Sequence, residues 1–188
     1  PNIYDENKVQ KELKNQLFDN YNLNFKFSQN LKYNFFPRPH FINENSIILK
    51  DKNEISKVKN IKIYVSLGNL FSLEKIKINN VVLENANFNL TRNNYNFFIK
   101  LLDENFKEND LNIKNSNIFY RNKDDEVLFI NKILSMKYYF DTNNMNNIST
   151  SKNKIFNVPY SLEIYNNKIE KKFFSKLNLN FLKMQIEN

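Results

Sequence analysis

Few side chains in this sequence can do chemistry, and their spacing does not gather them. There is one histidine, His40, in the segment Pro37-Arg38-Pro39-His40, and there is no cysteine. One imidazole cannot build a histidine metal cluster, and a serine triad would have to form around that single residue. Beside two prolines, His40 reads as a turn or surface residue. Lack of cysteine excludes disulfides, thiolate catalysis and cysteine metal sites. The single glycine, Gly68, excludes a Walker loop and a dinucleotide-binding fingerprint, both of which need several. Asp103-Glu104 and Asp124-Asp125-Glu126 could supply paired carboxylates. The first pair ends a helical turn and the second group occupies a hairpin turn, so both read as solvated loop charge. Asn89-Leu90-Thr91 and Asn147-Ile148-Ser149 match the glycosylation pattern, as chance predicts where about one residue in five is asparagine. These residues predict neither an enzyme nor a cofactor.

The net charge of +8 raises nucleic acid or an anionic surface as partners. The lysines are spread along every segment, however, and mostly alternate with apolar residues. Asn, Lys, Ile, Phe and Tyr share A- and T-rich codons, so compositional bias is the simplest origin of the charge. Aromatic residues next to lysines could stack bases on a sheet. Here the aromatics share a face with Ile, Leu and Val while lysines take the other, so no nucleic-acid partner is expected. No run approaches the eighteen or so apolar residues of a membrane-spanning helix. The chain opens on Pro1 rather than Met, and Asn188 follows strand-like sequence directly, so a natural chain extending at both ends is expected.

The elements that must position any site are strands. From Asn60 to Phe98, Ile61, Ile63, Val65 and Leu67 alternate with polar residues, the period of a strand with one buried face. A hinge at Gly68-Asn69-Leu70-Phe71-Ser72-Leu73 follows. Alternation resumes at Ile76 and Ile78, passes Val82, bends at Asn85 and continues as Ala86, Phe88 and Leu90. Upstream, Asp5 to Phe18 reads as a helix capped by Asp5, with Val9, Leu13 and Leu17 on one face. Tyr21 to Phe27 and Leu31 to Phe35 read as a hairpin, and Phe41 to Lys50 as a strand. Downstream, Phe97 to Phe106 has helical spacing. Strand character returns at Ile113, Ile118 and Tyr120, then across Val127 to Phe140. Asp141 to Asn153 reads as a polar loop, and Val158 to Tyr165 and Lys176 to Ile186 as strands. Asn85-Ala86-Asn87-Phe88 and Asn115-Ser116-Asn117-Ile118 echo one another and suggest equivalent strands. Short connections predict an antiparallel meander of nine or ten strands with two short helices.

In order and spacing these elements resemble the N-terminal region of AsmA-like proteins of the bacterial envelope, relatives of the bridge-like lipid-transfer proteins. The resemblance rests on the helix and strand pair leading to Pro37-Arg38-Pro39, and on the Val65-Ser66-Leu67 hinge with Leu70. It also rests on the turn at Asn93-Asn94-Tyr95-Asn96-Phe97, the run Ile113 to Tyr120, and Phe156-Asn157-Val158-Pro159-Tyr160-Ser161-Leu162. Where the family has a turn glycine and a tryptophan, this chain has Asn94 and Phe97.

The resemblance implies a mainly β fold: one curved antiparallel sheet forming a groove, with residues 1–20 as an N-terminal amphipathic helix and 21–188 as the sheet of a single domain. It implies a periplasmic location, an inner-membrane anchor outside this stretch, and phospholipid acyl chains as the partner. The expected groove lining is Leu23, Phe25, Ile61, Ile63, Val65, Ile76, Ile78 and Val82, followed by Phe88, Leu90, Ile118, Tyr120, Leu162, Ile164, Leu177 and Leu179. No metal is expected. A groove open along one side would suit lipid conduction, whereas a closed core would suit a non-transporting assembly factor of the outer membrane. Steep salt-dependent binding to DNA or RNA would instead mark a basic sheet domain.

Overall fold

The computed structural model of the chain describes residues 5–28, 30–50, 53–70, 76–95, 110–167, 170, 172–179 and 184–188. Helix α1 (Glu6–Tyr21) starts where Asp5 accepts hydrogen bonds from the Asn7 and Lys8 amides, satisfying two otherwise unpaired donors. It ends at Asn22, whose left-handed backbone (φ 53°) lets its amide reach the Phe18 carbonyl at 2.7 Å. The predicted stripe of Val9, Leu13 and Leu17 is buried, extended by one more turn to Tyr21.

The described strands are β1 (Asn24–Lys26), β2 (Leu31–Asn34), β3 (His40–Lys50), β4 (Asn53–Val65), β5 (Ile78–Leu90) and β6 (Asp110–Arg121). They continue as β7 (Val127–Asp141), β8 (Asn146–Ile155), β9 (Val158–Asn167), β10 (Lys172–Leu179) and β11 (Met184–Glu187). They form one sheet in the order β1-β3-β4-β5-β6-β7-β8-β9-β10-β11, with β2 also paired to β3. The mainly β reading and the single long sheet therefore hold. A 3-10 turn, Leu67–Leu70, occupies the start of the expected hinge. The rest of that hinge, 71–75, and the expected helix at 97–106 lie outside the described residues.

Four expectations change. Strands β1 and β2 do not form a hairpin; they lie end to end along β3, opposite Ile47–Leu49 and His40–Asn43 respectively. The Asn43 side chain holds the junction, accepting from the Ser28 amide at 3.0 Å and donating to the Asn30 carbonyl at 3.0 Å. The sheet is not wholly antiparallel, because β5 and β6 run parallel. The stretch between Leu90 and Asp110 is long enough for the crossover that parallel neighbours need. The supposed polar loop at 141–153 is mostly strand β8. The run at 176–186 is two strands, β10 and β11, antiparallel to each other.

Left-handed asparagines bend the sheet along a line. Asn45, Asn85 and Asn115 have φ of 57°, 54° and 48°. In each strand the inward set jumps by three at that point: Asn43 to Ser46, Leu83 to Ala86, Ile113 to Ser116. Strand register is kept across each of these kinks, and each is followed by a small residue with no exposed surface, Ser46, Ala86 or Ser116. The Ala86 amide donates to Ser116 Oγ at 2.9 Å, so a side chain bridges the kinks of the parallel strands. Asparagine tolerates this backbone better than other residues with a Cβ, and a left-handed residue in an extended strand redirects the chain. This line is the physical content of the internal echo, since Asn87 pairs with Asn117 and Phe88 with Ile118.

Because Asn85 is exposed and its backbone is left-handed, conformation rather than contact should decide substitutions there. Asn85→Gly is expected to stay within about 0.5 kcal/mol of wild type and Asn85→Val to lose about 1–3 kcal/mol. Urea unfolding checks this; equal losses in the two variants would contradict a conformational role.

Candidate functional site

The two faces of the sheet differ in chemistry. Lys62 meets Glu84 at 3.0 Å on the outer face, where Lys137 also meets Asp110 at 2.8 Å. Amide pairs tie β5 to β6 on the same side: Asn112 donates to Asn80 at 2.8 Å and Asn117 to Asn87 at 2.9 Å. The inner face is apolar, and it is covered unevenly.

Helix α1 seals the part over β3–β5. Gln16 works as a short stand-in strand, its Oε1 accepting from the Ile78 amide at 3.1 Å while its Nε2 donates to the Ile76 carbonyl. The Tyr21 hydroxyl donates to the Asp110 carbonyl at 3.2 Å, and Glu6 accepts from the Leu31 amide at 3.3 Å. Beneath the helix lie Phe25, Ile61, Ile63, Val65, Ile76 and Ile78, all buried in one continuous core. These six expected lining residues therefore belong to a sealed core and not to an accessible groove.

Past the helix the inner face opens. A cavity of about 350 Å³ is lined from Leu23 and Ile48 at one side, across β5–β8, to Leu162 and Ile164 on β9. Strands β3 to β9 facing one cavity means that the sheet curls around it. Of the expected lining, Leu23, Phe88, Leu90, Ile118, Tyr120, Leu162 and Ile164 sit together here. Cross-strand pairing carries the same face outward, Leu162 to Leu177 to Ile186, and Leu179 to Met184. Cover thins along that path. Leu177 and Leu179 are half-buried, and Ile186 is 49% exposed.

Val82 is misplaced by the sequence pattern. It lies opposite Lys62 on the outer face and outside the core cluster. A register shift between Tyr64 and Val65 inserts a residue, so the inward set after Ile78 is Val81 and Leu83. Counting by twos from Ile76 cannot see that step. Also missed are Leu111, Ile133, Met136 and Tyr138, and the polar residues Asn131, Ser151, Asn153 and Tyr160. Strict alternation would find Leu111 from Ile113. Ile133 and Met136 straddle a bulge, and no apolar pattern marks the polar group.

No residue described at the cavity is charged. Burial raises the pKa of Tyr120, and that of Tyr160 likewise, with the neighbouring Tyr120 adding to the effect. Tyr138 is pushed up to about 12 by burial, against the lowering effect of its hydrogen bond with Ser149. His40, expected at a surface or turn, is buried with Nδ1 2.7 Å from the Arg38 carbonyl and its ring stacked on Tyr64. Its contacts are structural, far from the cavity lining. Asp124, Asp125 and Glu126 are exposed in the β6–β7 turn, and Asp103 and Glu104 lie outside the described residues. Among the described residues no group of acidic or histidine side chains could hold a metal ion. No described helix is long and apolar enough to cross a membrane.

A sequence profile of the AsmA family matches residues 1–186. The chain belongs to the AsmA family. The match spans the sealed core and the open cavity of this AsmA-family chain alike, so both belong to the region the family shares. No curated protein matched the chain in a separate sequence comparison.

Tyr138 gives a pH test of the inner face. Its phenol titrates near 10 when unfolded and near 12 when folded. The folded state thus holds a proton that the unfolded state releases, so this contribution is complete below about pH 10 and lost as pH rises toward about 12. Tyr138→Phe should remove about one proton from the alkaline slope of stability against pH in urea titrations. An unchanged slope would show that the phenol is not buried.

Proposed function

We propose that this chain shields phospholipid acyl chains in transit between membranes of the cell envelope, as a periplasmic domain of an inner-membrane-anchored protein that supports the outer membrane. The observation that carries the reading is a mainly apolar, uncharged inner face that is sealed by α1 at one side, lines a cavity across β5–β9 and loses its cover toward β10 and β11. Each methylene removed from water is worth about 0.8 kcal/mol, so a two-chain lipid of roughly thirty methylenes faces a penalty of about 25 kcal/mol in water. A continuous apolar surface removes most of that penalty without a reactive group. The protein acts as a conduit and not as an enzyme, it needs no cofactor, and nucleic acid is not its partner. Its lysines and asparagines solvate the outer face.

A non-transporting assembly factor would be expected to pack its inner face throughout. Here full burial runs from beneath the helix as far as Ile133 and Tyr138 on β7, and the inner face is only half-buried at Ile118, Tyr120, Leu162, Ile164 and Leu177. The cavity volume, about 350 Å³, falls at the low end of small-ligand sites, which suits one stretch of acyl chain rather than an entire lipid.

Native mass spectrometry of the purified protein tests the reading. Phospholipid should co-purify with wild type. Ile118→Asp and Leu162→Asp, at half-buried inner positions, should reduce bound lipid by about tenfold or more while preserving the far-UV circular dichroism spectrum. Ile63→Asp should unfold the protein, because it places a charge in the sealed core. A folded wild-type protein that carries no lipid and accepts none from labelled phospholipid vesicles would overturn the reading.

A further inference from the structure

The floor of the cavity is not uniformly apolar. Cross-strand pairing places Asn147, Ser149, Ser151 and Asn153 of β8 on the inner face, opposite Asn166, Ile164, Leu162 and Tyr160 of β9. Toward one end, Asn153 pairs with Ile133 on β7, and Asn131 lies one inward position along that strand. Asn131 is 5% exposed and Asn153 is 3% exposed, and both line the cavity. Asn131 Oδ1 accepts from the Tyr160 hydroxyl at 3.0 Å. Asn153 Nδ2 donates to Ser151 Oγ at 2.7 Å, and Ser151 Oγ donates to the Leu162 carbonyl at 3.4 Å.

Those bonds use half of each amide. Among the described residues, Asn131 Nδ2 and Asn153 Oδ1 have no protein partner and face the cavity's water, which an occupant would displace. The Tyr120 hydroxyl, on the neighbouring strand β6, has no protein partner either. A buried amide group left without a partner costs roughly 1–3 kcal/mol, so native proteins seldom keep one that water or a ligand does not satisfy. A purely apolar chain would leave all three atoms unsatisfied. A phosphate would need a cation, and the cavity has no charged side chain. What fits is a neutral acceptor that can use the unused donors Asn131 Nδ2 and Tyr120 Oη, both on residues that line the cavity.

We propose that Asn131, Asn153 and Tyr120 form a linkage subsite that binds one ester carbonyl of a diacyl lipid. This rests on the lipid reading of the groove and adds a register to it. The carbonyl takes hydrogen bonds from Asn131 Nδ2 and the Tyr120 hydroxyl, and Asn153 Oδ1 holds a bridging water. A stretch of one acyl chain runs over the apolar floor toward Leu83 and Leu111, the other follows the exposed inner face toward β10 and β11, and the charged headgroup remains in solvent. Burial keeps the Tyr120 and Tyr160 phenols protonated, hence available as donors, at any physiological pH.

Two lipids that differ only at the linkage test this: a diester phosphatidylcholine and its diether analogue, with equal chains and headgroup. Each is titrated against N-phenyl-1-naphthylamine bound to the full chain. Wild type should prefer the diester by about tenfold, the worth of one to two net hydrogen bonds. In Asn131→Leu/Tyr120→Phe the preference should fall to within about twofold while affinity for the naphthylamine is kept. Equal affinities in wild type, or a preference that survives in the variant, would overturn the subsite and leave the groove reading intact. If the double variant does not fold, the wild-type comparison decides alone. If neither lipid displaces the naphthylamine, the groove reading falls and the subsite with it.

Discussion

Burial of the inner face of β3–β5 under one short helix is the interaction on which the rest of the molecule depends. An antiparallel sheet with a single apolar face is unstable until that face is covered. Here Leu13, Leu17 and Tyr21 supply the cover with no exposed surface of their own, against Phe41, Ile61, Ile63 and Val81, which have none either. The helix is only 16 residues long, so it can cover only part of the face. Everything past its reach must be held by backbone pairing to the sealed part. The open surface therefore exists because a rigid, closed core stands at one edge of the sheet and templates the strands that follow.

The line of kinks converts that ladder into a groove. A flat sheet would present the same residues as a plane, from which an acyl chain gains contact on one side only. Bends at Asn45, Asn85 and Asn115 occur at matching positions in strands β3, β5 and β6, so the inward set shifts together and the apolar face stays continuous across the kink. The small residues that follow, Ser46, Ala86 and Ser116, leave room for the bend. Asparagine, abundant for what the codons suggest are compositional reasons, here also serves the backbone and the amide ladders of the outer face. Those ladders and the paired charges keep the outer face soluble.

Much of this was legible in the sequence, and the failures share a cause. The capping of α1 by Asp5, its buried stripe, the strand character of β3, β6 and β9, and the mainly β sheet with one apolar face follow from periodicity, whereas the groove followed only from the family resemblance. Val82 was assigned inward because a bulge cannot be counted from apolar spacing. Strand β8 was read as a loop because its inward residues are Asn147, Ser149, Ser151 and Asn153, which look like turn residues in a linear pattern. The same polar stripe that hid the strand is the part of the cavity with specific hydrogen-bonding chemistry. The parallel pairing of β5 with β6 was missed because connection length was judged from the short turns elsewhere. The sealed core and the open groove were also indistinguishable in sequence, since Ile61 and Ile118 obey the same alternation and differ only in what the helix reaches.

The proposed lipid contact is confined to the inner face beyond α1. Photo-crosslinking in cells tests it directly, with a photoreactive amino acid placed at Leu162 or Leu177 on the open inner face, at Ile61 in the sealed core, or at Lys132 on the outer face. Lipid adducts are predicted at Leu162 and Leu177 and at neither of the other two positions. Adducts of equal yield at Lys132, or none at Leu162 and Leu177 in folded protein, would contradict it.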